Sequence, residues 1–469
     1  VIGSGAGEPV DLVRESEGEL EARRDLSVSL QNLGWAAEMR GDWDAASAAY
    51  QEFLELTREL VELQGTPQAR RDVSVALNKM GRVGETFGDW TKAEAAYQES
   101  LEIRQGLEKE LGTPKARRDL LVSLDNIGRV AEARGDWDKA EAAYQETLAL
   151  TQELEKLLGT PEARCDLSCS LVSVGWVAEA RGDWDTAEAA YQESLRLARE
   201  LDGLQGTIQS YRNLSRSLDG AGRVAHARGD WDAAEAAYQE SLALTRELEE
   251  MLGTPRARRN LSVSLDNVGR VALSRNDLAA ADDAYQESLT IRRYLREELG
   301  TPETYRDLSV SLNNVGRVAE TRGDWDAAEA AYQESLALAR ELEEMQGTPR
   351  ARRDLSVSLD NVGWALLTRG DKAAAESAFR ESLEIRLELE EMLETPEALG
   401  DLSLALENMG QVSEAQDEWD TAQVAYQQSL QIRRMLEKML GTPQAQQDVS
   451  ASEENLKRLN QKRADLGEI

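Results

Sequence analysis

The sequence predicts an all-α solenoid, because one segment of 47 residues recurs nine times without insertion or deletion. A fixed period of this length is typical of repeat proteins, in which each unit buries its apolar face only by stacking on its neighbours. Leu, Ala and Val dominate the apolar content, which suits thin layers of packed helices. Every copy carries a glycine inside a helical segment, and these are Gly34, Gly81, Gly128, Gly175, Gly222, Gly269, Gly316, Gly363 and Gly410.

Each repeat is predicted to form two helices, helix A and helix B, as the second copy illustrates. Thr66 is a favoured N-cap, and Pro67 suits the first helical position because the missing N–H costs nothing there. Apolar and small residues follow at helical spacing, which predicts helix A over 67–87. Asp89 caps the next helix, and the same periodicity predicts helix B over 90–111. Stacked pairs of this kind present one long surface, so function is sought along that surface.

The run LNKMGRVGETFGDWTKAEAAYQESL resembles the tetratricopeptide repeat. It has the glycine in helix A, a Gly-Asp-aromatic turn, an alanine three positions after that aromatic residue and a second aromatic residue four further on. The resemblance covers residues 21–442, although the helices are longer than in the standard unit of about 34 residues. It implies a right-handed superhelix of helix-turn-helix repeats whose A helices line the concave side. It also implies a protein-binding scaffold.

The two ends of the chain depart from the repeat. We expect residues 1–20 to be the remnant of a preceding helix. Residues 443–469 begin like another helix A, but Lys457 replaces the repeat glycine and Glu453 a core leucine, which predicts a polar capping helix. Because the chain starts at Val1 without a methionine, we expect it to be part of a longer protein of bacterial type.

The net charge of −34 belongs to the repeat unit, at roughly four negative charges a copy. Such a balance argues against nucleic acid and anionic membranes as partners. No segment is long and apolar enough to span a bilayer, and no signal peptide is recognised. With two cysteines and no disulfide framework, the sequence favours a cytoplasmic protein.

The sequence contains no recognisable catalytic or metal-binding constellation. His226 is the only histidine, and no serine or cysteine stands in a nucleophile context. Cys165 and Cys169 supply two sulfurs, which cannot complete a zinc site. We therefore expect no enzyme activity, no cofactor and no metal.

Helix A is predicted to carry a polar stripe, formed by the residues ten, six and three before the repeat glycine and one and four after it. Arginines and carboxylates line this stripe, and we expect them to grip an extended or helical peptide. The arginines directly after the glycine that we assign to partner binding are Arg82, Arg129, Arg270 and Arg317. The acids three before it are Asp125, Asp219, Asp266, Asp360 and Glu407. The alternative is that these charges merely pair with one another on the helix surface. Asparagines two before the glycine are expected to bond neighbouring backbone.

Three of the ten tryptophans replace arginine directly after the repeat glycine, namely Trp35, Trp176 and Trp364. Large amphipathic rings on a concave surface are frequent binding anchors, so we assign all three to partner binding. The alternative, which the sequence leaves open, is that they pack between helices. The other seven follow helix A in the turn and are assigned to packing.

The fourth and fifth copies are the most altered. The stripe of the fourth copy is apolar, with Cys165, Cys169, Val172 and Trp176. That of the fifth is basic, with Arg212, Arg216, Arg223 and His226. An apolar patch beside a basic one favours docking of an aromatic or aliphatic residue that stands next to an acid; the alternative is neutral drift in a redundant repeat.

These observations favour a scaffold that binds a protein or peptide segment along its concave face, as the docking or sensing arm of a larger protein. Two alternatives are kept. The array could be structural and self-associate through its N-terminal end, or it could sense a small anionic ligand through its arginine rows.

Overall fold

The computed structural model describes the backbone of residues 8–466, and the side chains in that range except those of residues 8–17, 204, 205 and 466. Within this range the secondary structure is α-helical and contains no strand. The helices are α1 (Glu8–Met39), α2 (Trp43–Gln64), α3 (Pro67–Phe87), α4 (Trp90–Leu111), α5 (Pro114–Ala133), α6 (Trp137–Leu158), α7 (Pro161–Ala180), α8 (Trp184–Gln205), α9 (Ile208–Ala227), α10 (Trp231–Leu252), α11 (Pro255–Ser274), α12 (Leu278–Leu299), α13 (Pro302–Arg322), α14 (Trp325–Gln346), α15 (Pro349–Thr368), α16 (Lys372–Leu393), α17 (Pro396–Ala415), α18 (Trp419–Leu440) and α19 (Pro443–Leu466). Odd numbers up to α17 are the A helices of successive copies, and even numbers are the B helices.

The helix ends follow the predicted caps. Helices α3 and α4 span 67–87 and 90–111, as the sequence predicted. The Thr66 hydroxyl accepts a hydrogen bond from the Ala69 N–H at 3.2 Å, and the Asp89 carboxylate accepts one from the Lys92 N–H at 3.0 Å. Gly88 between them adopts φ 73°, in the left-handed region that favours glycine. The prediction of paired helices is therefore confirmed down to the capping residues.

The N-terminal helix differs from the expectation. Residues 8–39 form one continuous helix α1, so 8–20 are not a separate remnant of a preceding helix. The reason lies in the sequence, because Glu19 and Leu20 stand where later copies have the Thr-Pro pair that starts helix A. The remaining residues of that prediction, 1–7, lie outside the described residues.

The repeat glycine is explained by a tyrosine of the same copy. A Cβ atom built on Gly81 would lie 2.4 Å from the Tyr97 ring, and Tyr97 is fully buried. The same ring covers the glycine in other copies, with Tyr50 on Gly34, Tyr191 on Gly175, Tyr238 on Gly222 and Phe379 on Gly363. Glycine is therefore kept in mid-helix, despite its low helix propensity, because helix B places an aromatic ring directly on the A-helix backbone.

The chain divides into two compact units, one ending at Val130 and one beginning at Ala131. In each unit consecutive helices pack on one another around small clusters of apolar residues. In the first unit such a cluster joins Leu30, Phe53, Leu54, Val73 and Leu77, and in the second one joins Tyr332, Leu336, Leu355, Leu359 and Val362. Both units are solenoids of helix pairs.

Within the second unit, distant copies touch. A Cβ atom built on Gly135, in the turn after α5, would lie 2.7 Å from Cγ of Pro396 at the start of α17. One built on Gly182, in the turn after α7, would lie 3.1 Å from Pro443 at the start of α19. The stack of the second unit therefore winds back until its third and fourth copies contact its C-terminal helices.

Helix α19 packs through Val449 and Leu459, which are buried, and its outer face is polar. Lys457 and Glu453, which replace the repeat glycine and a core leucine, are both exposed. Arg458 and Lys462 extend to Glu414 of the ninth copy. None of the described helices combines the length and hydropathy needed to cross a membrane.

Candidate functional site

Four of the arginines ten residues before the repeat glycine bind carboxylates of the following copy. Arg71 donates to both oxygens of Asp119, at 2.5 and 2.9 Å. Arg259 donates in the same way to Asp307, at 2.5 and 3.1 Å. The equivalent contacts farther along are Arg306 to Asp354 and Arg353 to Asp401. Because two-point contacts of this kind fix geometry, these arginines join copies to one another.

The arginines directly after the repeat glycine turn towards the preceding copy. Arg82 forms an ion pair with Glu38, and Arg129 forms one with Glu85 at 2.8 Å. This corrects the prediction that they are free to grip a partner. The sequence of a single repeat could not show it, because the two charges of each pair lie 44 residues apart.

Arg270 and Arg317 are also engaged, but with neutral groups. Arg270 donates to the Tyr238 hydroxyl at 2.9 Å and to Oδ1 of Asn267 at 3.0 Å. Arg317 donates to Tyr285 and Asn314 in the same way. The asparagines two before the glycine therefore bind these arginines instead of neighbouring backbone, which corrects a second prediction.

The acids three before the glycine lie inside the stack instead of on the open stripe. This position faces helix B of the same copy, where an arginine reaches it. The pairs are Asp266 with Arg292 at 2.6 Å, Asp360 with Arg386 at 2.5 Å and Glu407 with Arg433 at 2.6 Å. Because most arginines of these rows also bind other side chains of the stack, an anion sensor built on rows of free arginines loses its support.

The three tryptophans assigned to binding have different surroundings. Trp364 packs on Phe379, with ring centroids 5.4 Å apart, and joins the cluster of Ala375 and Val412. It is therefore a packing residue, which corrects its assignment. Trp35 is 54% exposed in α1. Trp176 is 46% exposed although α7 packs against α6, α8 and α9.

The altered fourth and fifth copies meet along α7 and α9. Cζ of Arg223 lies 5.5 Å from the centroid of the Trp176 ring, a cation–π distance. Arg223 also binds Glu179, at 3.2 Å, so it is not free to take a partner's carboxylate as predicted. Nη1 of Arg216 lies 3.6 Å from Sγ of Cys169. The predicted apolar patch and basic patch therefore form one surface, which we call the α7/α9 surface: Cys169, Trp176, Arg212 and Arg216.

Two predicted members of this site have other roles. Val172 packs in the cluster of Ala178, Ala187, Tyr191 and Val224. His226 packs edge-on against Trp231, with centroids 4.9 Å apart, and its Nε2 lies 2.9 Å from the Ser274 hydroxyl. Burial, helped by the charge of Arg270, lowers the pKa of His226, so it adds no positive charge at neutral pH.

Arg212 and Arg216 have no carboxylate partner among the described residues. Arg212 occupies the position at which Arg71 and Arg259 bind an aspartate of the next copy, but Asn260 stands there instead. Arg216 is exposed, and its one polar contact is with the Cys169 sulfur. The sequence contains this signal, because the residue nine before the glycine is Asp in every copy except the fifth and the sixth, which have Asn. The α7/α9 surface therefore combines an exposed indole with two arginines that have no carboxylate partner among the described residues.

Among the described residues, no group of three or more His, Cys, Asp or Glu side chains is arranged to hold a metal ion. The pattern of this surface, with an aromatic ring, a thiol and two guanidinium groups, suits contact with an acidic and apolar protein segment.

Comparisons with known proteins agree with the fold. A family model described as tetratricopeptide repeat matches residues 72–153, 119–199, 166–247 and 307–388, and a second model with the same description matches 29–56. No curated protein matches the sequence.

Solved structures with similar folds include the apo form of RapI, at 12% identity and a TM-score of 0.51, covering 88% of this chain and 99% of that one. A Rap protein complexed with competence and sporulation factor has 14% identity and a TM-score of 0.49, covering 89% and 99%. BtubC (BKLC) from P. vanneervenii has 20% identity and a TM-score of 0.44, covering 54% and 92%. At these identities the likeness concerns the fold alone.

Proposed function

The chain belongs to the tetratricopeptide repeat family, and we propose that it is a protein-interaction scaffold whose docking site is the α7/α9 surface. The partner is a protein or peptide segment laid along the concave side of the A helices. In this proposal the chain is the docking or sensing arm of a larger, bacterial-type cytoplasmic protein. It binds neither nucleic acid nor membrane, because its net charge of −34 repels polyanions.

The observation that carries the proposal is the exposure of Trp176. At the equivalent position Arg82 binds the preceding copy, Trp364 packs in an apolar cluster, and Trp35 is exposed in the first copy. Trp176 lies against Arg223 between packed helices, and nearly half of its surface stays open to a partner, being 46% exposed. Exposed indoles of this kind are frequent energetic centres of interfaces.

The charges of Arg212 and Arg216 on the same surface define the chemistry of the partner. Arg212 and Arg216 lack carboxylate partners, so a carboxylate brought to them gains a charge-assisted hydrogen bond without breaking an existing pair. We infer that the bound segment carries an aromatic or aliphatic side chain for Trp176 and one or two acidic side chains for these arginines.

We expect the chain to select, from a random peptide library, peptides that have an aromatic or aliphatic side chain together with one or two acidic side chains. Replacement of Trp176 by Ala should weaken the selected peptides by about 2 kcal/mol, or roughly 30-fold in Kd, because a central anchor is lost. It should change stability by less than about 1 kcal/mol, since the ring is half exposed. Fluorescence anisotropy and thermal melting give the two quantities.

Trp35→Ala is the matched control, because Trp35 is equally exposed but lies in the first copy. It should leave the affinity of the same peptides unchanged. Arg212→Glu and Arg216→Glu should weaken acidic peptides and reduce the salt dependence of their binding. Selected peptides without acidic residues, or peptides that bind the Trp176 variant as well as the parent, would contradict the proposal.

A second candidate function, assembly of copies of this chain through α1, rests on two exposed leucines. Leu26 and Leu33 are 52% and 61% exposed, whereas the equivalent Leu120 and Ile127 of the third copy are buried. Apolar faces of this kind favour association. Sedimentation velocity over a hundredfold range of concentration should then show dimers that Leu26→Glu abolishes; a monomer throughout would remove this candidate.

A further inference from the structure

Two thiols lie one helical turn apart on α7, at the junction of the fourth and fifth copies. Cys165 stands where other copies have an arginine, and Cys169 follows four residues later, so both side chains lie on one face of the helix. The thiols are hydrogen-bonded to each other, and both are partly exposed.

Helix α9 supplies hydrogen-bond donors to these sulfurs. Nδ2 of Asn213 donates to Sγ of Cys165 at 2.8 Å, and Nε2 of Gln209 lies 3.7 Å from the same sulfur. Nη1 of Arg216 lies 3.6 Å from Sγ of Cys169. The cysteine–asparagine contact occupies the place of the Arg–Asp pairs that join other copies, so the sulfur is part of the joint between copies.

The two thiols differ in protonation. The hydrogen bond from Cys169, supported by those from Asn213 and Gln209, lowers the pKa of Cys165 to about 6, against burial and the charge of Asp166. The same hydrogen bond, together with burial, raises the pKa of Cys169. The donors of α9 therefore favour the thiolate at Cys165, with the Cys169 thiol as its neighbour, which is the arrangement of a nucleophile beside a proton donor.

We propose that Cys165 is a site of oxidation by hydroperoxides and that Cys169 resolves the product as a disulfide within α7. In the first step the Cys165 thiolate attacks the terminal peroxide oxygen; the O–O bond breaks, and the alkoxide or hydroxide leaves and takes up a proton. Cys165 is then a sulfenic acid. In the second step the Cys169 sulfur attacks Sγ of Cys165, the S–O bond breaks and water leaves, carrying the Cys169 proton.

Disulfide formation must distort α7. Cβ atoms one turn apart in a helix are separated by about 5–6 Å, whereas a disulfide needs roughly 3.5–4.5 Å. The Cys165 sulfur also leaves Asn213 and Gln209, so the contact between α7 and α9 of the fourth and fifth copies loosens. Oxidation then lowers the affinity of the α7/α9 surface for its peptides, and this last step alone rests on the proposed function.

Two measurements test the thiol chemistry without any partner. The first is the rate of alkylation by iodoacetamide against pH. Cys169→Ser, which keeps a hydroxyl donor beside Cys165, should react with a midpoint near pH 6 and, at pH 7, about tenfold faster than Cys165→Ser. Asn213→Ala should raise that midpoint, and unfolding in urea should abolish the difference between the two cysteine variants.

The second measurement is mass spectrometry after treatment with hydrogen peroxide. The parent should lose two hydrogen masses and both free thiols, whereas Cys169→Ser should accumulate a sulfenic acid that a 1,3-diketone traps. Equal alkylation rates for the two cysteines, or a parent that gains oxygen without forming a disulfide, would overturn the oxidation site. Normal thiol chemistry with unchanged peptide affinity would overturn only its link to the docking surface.

Discussion

Some copies have a buried ion pair between an arginine of helix B and an acid of helix A. The second copy has only the arginine of this pair, and the fifth copy has only the acid. In the second copy Arg104 is 4% exposed and donates to the Ser74 hydroxyl and to the Asp119 carbonyl oxygen. The position three before the repeat glycine, which holds an acid in several copies, is the neutral Asn78, whose Oδ1 has no hydrogen-bond partner. Burial lowers the pKa of Arg104 to about 10; the charge of Asp119 opposes this shift, and the charge of Arg71 adds to it.

The fifth copy has the acid without the arginine. Asp219 accepts hydrogen bonds from Ser241 at 2.9 Å and Asn267 at 3.4 Å, and Thr245 stands where the second copy has Arg104. Burial raises the pKa of Asp219 to about 6. The eighth copy has both halves, since Asp360 binds Arg386. The comparison shows that the backbone stack accepts either group alone, at an electrostatic cost set by the side chain that is missing.

The largest effect is expected where the pair is complete. Asp360→Asn should destabilise the second unit by about 3–5 kcal/mol, because Arg386 is 1% exposed and would remain charged without its counter-ion. Urea unfolding followed by circular dichroism gives the change. The double variant with Arg386→Met should recover most of the loss. If Asp360→Asn lowers the free energy of unfolding by less than about 1 kcal/mol, the buried pair contributes little to stability, and the difference between copies does not affect it.

In the fifth copy, replacing the Asp219 carboxyl should raise the free energy of unfolding by an amount that depends on pH. Because folding raises the pKa of Asp219, the folded chain holds this proton to higher pH than the unfolded chain does. The penalty is thus absent at low pH, grows between about pH 4 and 6 and is complete above that. Asp219→Asn should stabilise by about 3 kcal/mol at pH 7 and by nothing below pH 4.

The control for this prediction restores the missing partner. Thr245→Arg should stabilise the fifth copy only where Asp219 is ionised, and it should lower the pKa of that carboxyl, as the chemical shift of a ¹³C-labelled carboxyl reports. A stability difference between Asp219→Asn and the parent that is the same at pH 4 and pH 7 would show that the carboxyl is not buried in this way.

The smallest effect is expected in the second copy. Asn78→Asp should give Arg104 the carboxylate that Arg292 and Arg386 have, and raise stability by about 1–2 kcal/mol. Hydrogen exchange of α3 and α4 at pH 7 measures it locally. Asn313→Asp is the matched control, because the seventh copy has Ala339 in place of the arginine and should lose stability from the same change.

Helix boundaries could be predicted from the sequence because they depend on local chemistry. The Thr66 and Asp89 side chains each accept a hydrogen bond from the backbone N–H three residues later. Gly88 adopts a left-handed conformation, which glycine tolerates without support from distant residues. The meeting of the fourth and fifth copies at Trp176 and Arg223 followed from their adjacency in the repeat.

The roles of the arginines could not be predicted from a single repeat. Arg71 reaches Asp119 and Arg82 reaches Glu38 because of the offset between stacked copies, which the helical periodicity of one copy does not contain. Comparison among the copies would have helped. Arginine on helix B and an acid three before the glycine occur together in the sixth, eighth and ninth copies, and Asn260 marks Arg212 as unpaired.

The contacts of Gly135 with Pro396 and of Gly182 with Pro443 limit how far the second unit can shorten along its axis. Compression along that axis would force these atoms into closer contact, whereas stretching would separate them. A partner that enters between the contacting copies must therefore lengthen the second unit. Side chains added at Gly135 or Gly182, where φ is 70° and 74°, would push the contacting copies apart and lengthen the second unit.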